Sequence, residues 1–285
     1  RPVDGTTLCR VARSGRADVE RAVRAAAAAQ PAWSEWTAVA RGDVLRELAL
    51  LLRARREELA AIVVEETGKP PELALGEVDA AAEMGFFVAG EGRRSYGRTL
   101  TSSTPHRTVF TTRQPLGVAA LITSFNTPLP NIAWKAFPAL LCGNTAVAKP
   151  SEHTPVSALR FGELALEAGV PPGVLNVVQG LGSEAGAPLV EHEAVPLVSF
   201  TGSAETGRWI NERAGRRLAK VCLELGGKNA LVVCDDADLD NAERWMLASA
   251  FSNAGQRCAA ASRTGLRSAT PARAVASSTY TVMSL

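Results

Sequence analysis

Two short segments carry side chains suited to covalent carbonyl chemistry. Glu224-Leu225-Gly226-Gly227-Lys228 offers a general base, and Gly255-Gln256-Arg257-Cys258 offers a thiol nucleophile thirty-four residues after Glu224. A thiol that adds to a carbonyl, and a carboxylate that later activates water, are the parts needed to make and then hydrolyse a thioester. Cys258 lies among the small and polar residues Ala254 to Ser262 rather than in an apolar run, and Arg257 beside it favours a thiolate. A lone cysteine is more often structural, so its company decides the reading. Asn126, in Ser124-Phe125-Asn126-Thr127-Pro128, could donate to a developing oxyanion. The alternative for it is a turn-forming asparagine near proline.

Three further segments suit a nucleotide. Gly180-Leu181-Gly182-Ser183-Glu184-Ala185-Gly186 follows an apolar run and opens a helical pattern, so its glycines could bring a helix start close to a phosphate. Its spacing is G-x-G-x-x-x-G rather than the usual dinucleotide spacing, and a plain structural turn competes evenly. Phe200-Thr201-Gly202-Ser203 repeats the arrangement one unit later. Lys149-Pro150-Ser151-Glu152 could hold a ribose diol, or be a surface salt-bridge turn.

These segments must be positioned by the elements between them. Asp18 to Gln30 reads as an alanine-rich helix ending at Pro31, and Ser34 as the cap of a second with Val44, Leu45, Leu48, Leu51 and Leu52 at helical spacing. Leu59 to Thr67 continues it as far as Gly68-Lys69-Pro70-Pro71, and Glu72 to Glu91 forms a third. Residues 97–113, rich in Thr, Ser and Arg, read as a polar hairpin or a plain surface loop. From Leu116 onward apolar runs at 117–122, 145–148, 174–178, 197–200, 219–223 and 229–233 alternate with helical stretches, the last at Leu239 to Ser252. That alternation predicts an α/β fold, a doubly wound, largely parallel Rossmann-like sheet preceded by helices. Ligands of such sheets bind at the carboxyl ends of the strands, where every segment above falls.

Composition narrows the function classes. The 285 residues carry a net charge of +2, with basic and acidic side chains mixed, which gives no case for nucleic acid. The run Arg53, Arg55, Arg56 is answered by Glu57 and Glu58, as on a solvated helix face. No apolar stretch is long enough to cross a membrane and no secretory signal is visible, so a cytoplasmic setting is expected. The five cysteines never form a C-x-x-C pair, and His106, His153 and His192 lack metal-ligand spacing, so neither a disulfide framework nor a metal is expected. Cys142, Cys222 and Cys234 stand in apolar runs and read as small buried hydrophobes.

Together these residues resemble the aldehyde dehydrogenase superfamily from about Pro2-Val3-Asp4-Gly5 to Ser262-Arg263, with the Glu224 and Cys258 motifs the most specific and Phe-Thr-Gly-Ser and Lys-Pro-Ser-Glu reinforcing them. The resemblance implies oxidation of an aldehyde to a carboxylic acid with NAD, NADP being possible. It gives Cys258 the role of nucleophile, Asn126 and the Cys258 N–H that of oxyanion donors, and Glu224 that of base. It assigns Lys149 and Glu152 to the adenosine ribose, and Gly182, Gly186 and Ser203 to the pyrophosphate. Ile122, Ser124, Phe125 and Leu225 complete the implied cofactor contacts. A small-molecule aldehyde and a homo-oligomeric parent enzyme follow as partners, with 97–113 as the first part of the oligomerisation element.

The expected domains are 1–96 with 114–226 for the cofactor, 97–113 for the hairpin, and 227–263 as the beginning of a catalytic domain. The chain starts at Arg1 and ends twenty-seven residues after Cys258, which reads as a truncated member lacking most of that domain. Residues 264–285, with eight Ser or Thr and no acidic residue, read as an anomalous tail, frame-shifted or disordered. An inactive nucleotide-binding fragment and a coenzyme A-acylating enzyme are the alternatives; Glu224 argues against the latter, which needs no base for water. Phe125 and Trp134 could be pocket walls or core packing.

Overall fold

A computed structural model describes residues 1–266 and 282–284. It divides into two compact units, Arg1–Glu224 and Leu225–Leu285.

The first unit opens with four helices: α1 (Arg16–Glu35), α2 (Ala38–Ala54), α3 (Arg56–Thr67) and α4 (Pro71–Gly90). Against expectation, α1 runs through Pro31. Pro31 is exposed, and the buried Trp33 draws the last turn down by donating Nε1–H to the Leu140 carbonyl at 3.0 Å. Ser34 is no cap, since its hydroxyl donates back to Pro31 O at 2.7 Å, and Thr37 caps α2 instead by accepting from Ala40 N–H. Helices α2 and α3 are separate, broken at Arg55. Gly68, left-handed at φ 69°, ends α3, and Pro71 starts α4, so the corner between them is short and stiff. The arginine run pairs mostly across helices, Arg53 with Glu83, Arg55 with Glu167 and Arg56 with Asp79, while Arg56 also meets Glu57 on its own helix.

The hairpin expected at 97–113 forms from β1 (Thr99–Thr101) and β2 (Thr108–Phe110), paired antiparallel. The sheet follows: β3 (Val118–Ile122), α5 (Pro128–Leu141), β4 (Thr145–Lys149), α6 (Pro155–Glu167), β5 (Leu175–Val177), α7 (Ala187–Glu191), β6 (Leu197–Gly202), α8 (Ala204–Gly215) and β7 (Lys220–Leu225). Strand order is β5-β4-β3-β6-β7, with β3 parallel to both β4 and β6 and β4 parallel to β5. The sheet is thus doubly wound about β3, the α/β class that the alternating pattern predicts. β3 and β4 are buried at every position, as expected of central strands covered on both faces. The core joins α1–α6 to β3 and β4 around Trp33, Phe137 and Phe161, the two phenyl rings meeting edge to face at 5.8 Å.

The second unit is a strand–helix–strand crossover, β8 (Asn229–Val233), α9 (Leu239–Phe251) and β9 (Ala261–Leu266), with β10 (Val282–Ser284) parallel to β9. β9 continues past Arg263, where the pattern was expected to break, and the remainder of the expected tail, 267–281 and 285, lies outside the described residues.

Three cysteines depart from expectation, because Cys142, Cys222 and Cys234 are exposed. Apolar neighbours in sequence did not bury them: Cys142 caps the end of α5, Cys222 lies on the exposed face of a strand with alternating burial, and Cys234 follows the end of β8. Phe125 and Trp134 are likewise 41% and 46% exposed, so neither is core packing. Among the described residues no helix is long and apolar enough to cross a membrane.

Candidate active site

Parallel strands bring their carboxyl ends to one edge, and there the segments after β3, β4, β5 and β6 line a cavity of about 640 Å3 in the first unit. Of the cofactor residues expected from the sequence, Ile122, Ser124, Phe125, Lys149, Glu152, Gly182 and Gly186 all line it. Ser203 does not, but it stands at the start of α8, its Oγ accepting from Thr206 N–H at 3.1 Å, and Thr206 is a cavity residue. Leu225 is outside the lining and belongs to the second unit.

Lys149 ends β4 with its side chain buried, and its Nζ donates to Glu152 Oε2 at 3.1 Å. Burial works against the Glu152 charge, but its own N–H and the Lys149 ammonium outweigh it and hold the carboxyl below the usual range. The pair therefore presents an ionised acceptor beside a fixed donor, the arrangement a vicinal diol requires. Gly182–Gly186 form a π-helical turn that runs on into α7, and Arg13 holds it from the N-terminal segment by pairing with Glu184. Gly202 sits where a Cβ would come within 2.4 Å of Phe200 Cζ, so glycine is what lets that ring lie against the chain at the cavity wall.

The apolar side of the cavity was missed by sequence reasoning: Val190, Phe200, Trp209 and Ile210 line it. A signal existed, since Thr206, Trp209 and Ile210 recur at i, i+3 and i+4 along α8 and so share one face.

Asn126 lies outside the cavity lining, on the turn that follows β3. Its Oδ1 accepts from Ser124 Oγ at 2.6 Å and from Asn131 Nδ2 at 3.3 Å, so the oxygen end of the carboxamide is fixed and the group donates through its nitrogen. Its backbone carbonyl accepts from the buried Lys69 ammonium at 2.8 Å.

Glu224, at the end of β7, shares that strand's exposed face with Cys222. A further buried charge, also unforeseen, responds to both: Lys135 on α5, whose Nζ donates to Ser199 Oγ at 3.0 Å. Burial lowers the Lys135 pKa to about 8, with Glu224 and Cys222 pulling in the opposite direction. A lysine in the otherwise apolar stretch Ile132 to Leu141 was its only sequence signal.

Cys258 belongs to the second unit and is exposed. It follows three successive left-handed residues, Asn253, Ala254 and Gly255, and its carbonyl accepts from Asn229 Nδ2 at 2.5 Å. Such a conformation costs an alanine about 1 kcal/mol, so local strain is concentrated just before the thiol.

The sequence matches the model of the aldehyde dehydrogenase family over residues 1–284. It is 43% identical over 262 residues to the NADP-dependent succinate-semialdehyde dehydrogenase of Escherichia coli, covering 92% of this chain and 54% of that protein. It is 41% identical to the NADP-dependent D-glyceraldehyde dehydrogenase of Thermoplasma acidophilum, covering 92% of this chain and 53% of that one. The chain therefore spans about half the length of the curated relatives it matches. Among solved structures, an E. coli NADP-dependent enzyme superposes with a TM-score of 0.92 at 42% identity, covering 94% of this chain and 56% of that one. PnpE in complex with nicotinamide adenine dinucleotide superposes at 0.91 and 41% identity, covering 94% and 55%.

Proposed function

The chain belongs to the aldehyde dehydrogenase family, and from that premise we propose that it serves the oxidation of an aldehyde to a carboxylic acid with a nicotinamide dinucleotide. The observation that carries the cofactor half is the cavity at the strand ends, whose parts answer those of a dinucleotide. Lys149 and Glu152 suit the ribose hydroxyls, the turn at Gly182–Gly186 and the start of α8 suit the pyrophosphate, and Val190, Trp209 and Ile210 suit an aromatic base. When bound, the nicotinamide accepts the hydride that the substrate carbon loses.

The chemical roles rest on the motifs. The Cys258 thiolate adds to the aldehyde carbon, and the Asn126 carboxamide with the Cys258 N–H donates to the oxygen that becomes negative. Loss of hydride leaves a thioester on Cys258. Glu224 removes a proton from water, the resulting hydroxide adds to the thioester carbon, and the carbon–sulfur bond breaks to release the acid and the thiolate. Of the two cofactors NAD is favoured, because a 2′-phosphate would meet the Glu152 carboxylate. The β1–β2 hairpin, whose two strands are exposed at every position, is the element we assign to contact between copies of the chain.

Purified protein is incubated with NAD or NADP and a panel of aldehydes that includes dicarboxylic semialdehydes, and the reduced nicotinamide is followed by its absorbance. Turnover that Cys258→Ser abolishes, with NAD binding kept, supports the reading. Binding without turnover by the unmodified chain removes the oxidation and leaves a nucleotide-binding protein. Acceleration by coenzyme A in place of water indicates an acylating enzyme.

A further inference from the structure

The corner between α3 and α4 carries three charged side chains that are buried, an arrangement that a mere helix connection does not need. Glu66, Lys69 and Glu77 are 7%, 6% and 8% exposed. Burying a charge is costly unless it is paired and hydrogen-bonded, so what these groups bond to matters. Lys69 Nζ pairs with Glu77 and donates to the backbone carbonyl of Asn126 at 2.8 Å. The Glu66 carboxylate accepts from Val156 N–H, from Ser157 N–H at 3.0 Å, and from the Ser157 hydroxyl. It thereby caps the first turn of α6, whose own N-cap, Thr154, makes no side-chain cap bond.

The two contacts land on different loops. Asn126 lies on the turn after β3, and α6 follows the Lys149–Glu152 segment after β4. Gly68 and the two prolines 70 and 71 keep the corner stiff, so Glu66 and Lys69 leave it at a fixed separation. We propose that this corner is a brace for the site: Lys69, oriented by Glu77, is the positioning residue for the Asn126 turn, and Glu66 is the positioning residue for the Lys149–Glu152 clamp. The roles of the two loops rest on the function proposed above; the brace itself rests on the bonds just described.

The physical consequence is separability. Loss of the Lys69 contact releases the Asn126 turn, whose Ser124 and Phe125 line the cavity, and leaves the Glu66 cap on α6 in place. Loss of the Glu66 cap loosens α6 and with it the ribose clamp.

The test uses the whole chain with two changes, Glu66→Gln and the double replacement of Lys69→Met with Glu77→Leu, which leaves no unpaired buried charge. Three quantities are read: NAD affinity by quenching of tryptophan emission, peptide-level hydrogen exchange at 123–131 and 153–160, and the melting temperature. Glu66→Gln is expected to weaken NAD about tenfold and to speed exchange at 153–160 only. The double replacement is expected to speed exchange at 123–131 and leave 153–160 as slow as in the parent, with turnover reduced. Lys69→Arg, which keeps the donor, should restore slow exchange at 123–131. Faster exchange at both loops together in either variant, in step with the melting temperature, would overturn the brace, as would no change in exchange. Failure of the unmodified chain to bind NAD or NADP would instead remove the functional reading, and the exchange pattern would still decide the brace.

Discussion

Replacing Lys135 by methionine is expected to make the protein more stable at neutral pH and less stable in alkali. The ammonium is buried on α5, with a pKa lowered from the usual 10.5 to about 8, chiefly by burial. The unfolded chain holds that proton up to about pH 10.5, while the folded chain releases it near pH 8. Between those values the unfolded state binds more protons, so stability from this group rises with pH by about 1.4 kcal/mol per unit. Below pH 8 the full cost of about 3 kcal/mol is present; above about 10.5 it is gone. Methionine fills a similar volume and removes that cost, but loses the donor to Ser199 Oγ, worth about 1 kcal/mol. The variant should therefore gain about 2 kcal/mol at pH 7, cross the parent near pH 10, and fall about 1 kcal/mol below it beyond that. Urea unfolding of both proteins from pH 7 to pH 11 measures the difference directly, and lysines common to both cancel. A variant less stable at pH 7, or a difference that does not change with pH, would refute a buried charged Lys135.

Two other substitutions probe the frame and the cavity. Arg41 donates from Nε to the Leu141 carbonyl at 2.8 Å and from Nη1 to the carbonyls of Trp33, Ser34 and Trp36, so one guanidinium serves the carboxyl ends of α1 and α5. Arg41→Met should lower stability by about 3 kcal/mol, with Arg41→Lys recovering little of it because an ammonium cannot span both helix ends; chemical denaturation gives the answer. Gly202→Ala places a methyl 2.4 Å from Phe200 Cζ and must displace the ring at the cavity wall. About 1–3 kcal/mol of stability and roughly tenfold in NAD affinity should be lost, read by melting and by fluorescence titration, and unchanged affinity would separate Phe200 from the cofactor. Glu152→Ser is expected to move preference toward NADP at least about tenfold, measured as the ratio of the two dissociation constants; an unchanged ratio would free Glu152 from that role.

The strand–helix alternation from Leu116 onward and the turn residues after each strand were legible because they are local. A strand or helix pattern is written in side chains a few residues apart, and parallel strands necessarily end at a common edge. The family resemblance named the cofactor residues, and seven of them line one cavity at that edge. Local pattern misled where a distant contact overrode it. Pro31 ought to end α1, but Trp33 bonds to a carbonyl 107 residues away and holds the helix on. Cys142, Cys222 and Cys234 have apolar neighbours in sequence and solvent in space.

What the sequence by itself determined is the family, through the motifs around Glu224 and Cys258 and the glycine-bearing turns, and the α/β frame that orders them. Tertiary structure alone decided which charges are buried and what they hold. Lys69 reaches Asn126 across 57 residues, Glu66 reaches Val156 across 90, and Lys135 meets Ser199 across 64. In the sequence Glu66 and Lys69 are charged residues among many, Lys135 is marked only by its apolar neighbours, and nothing names the partner of any of them. Only packing removes the water that would otherwise solvate it, and only then does the partner become a requirement of the fold.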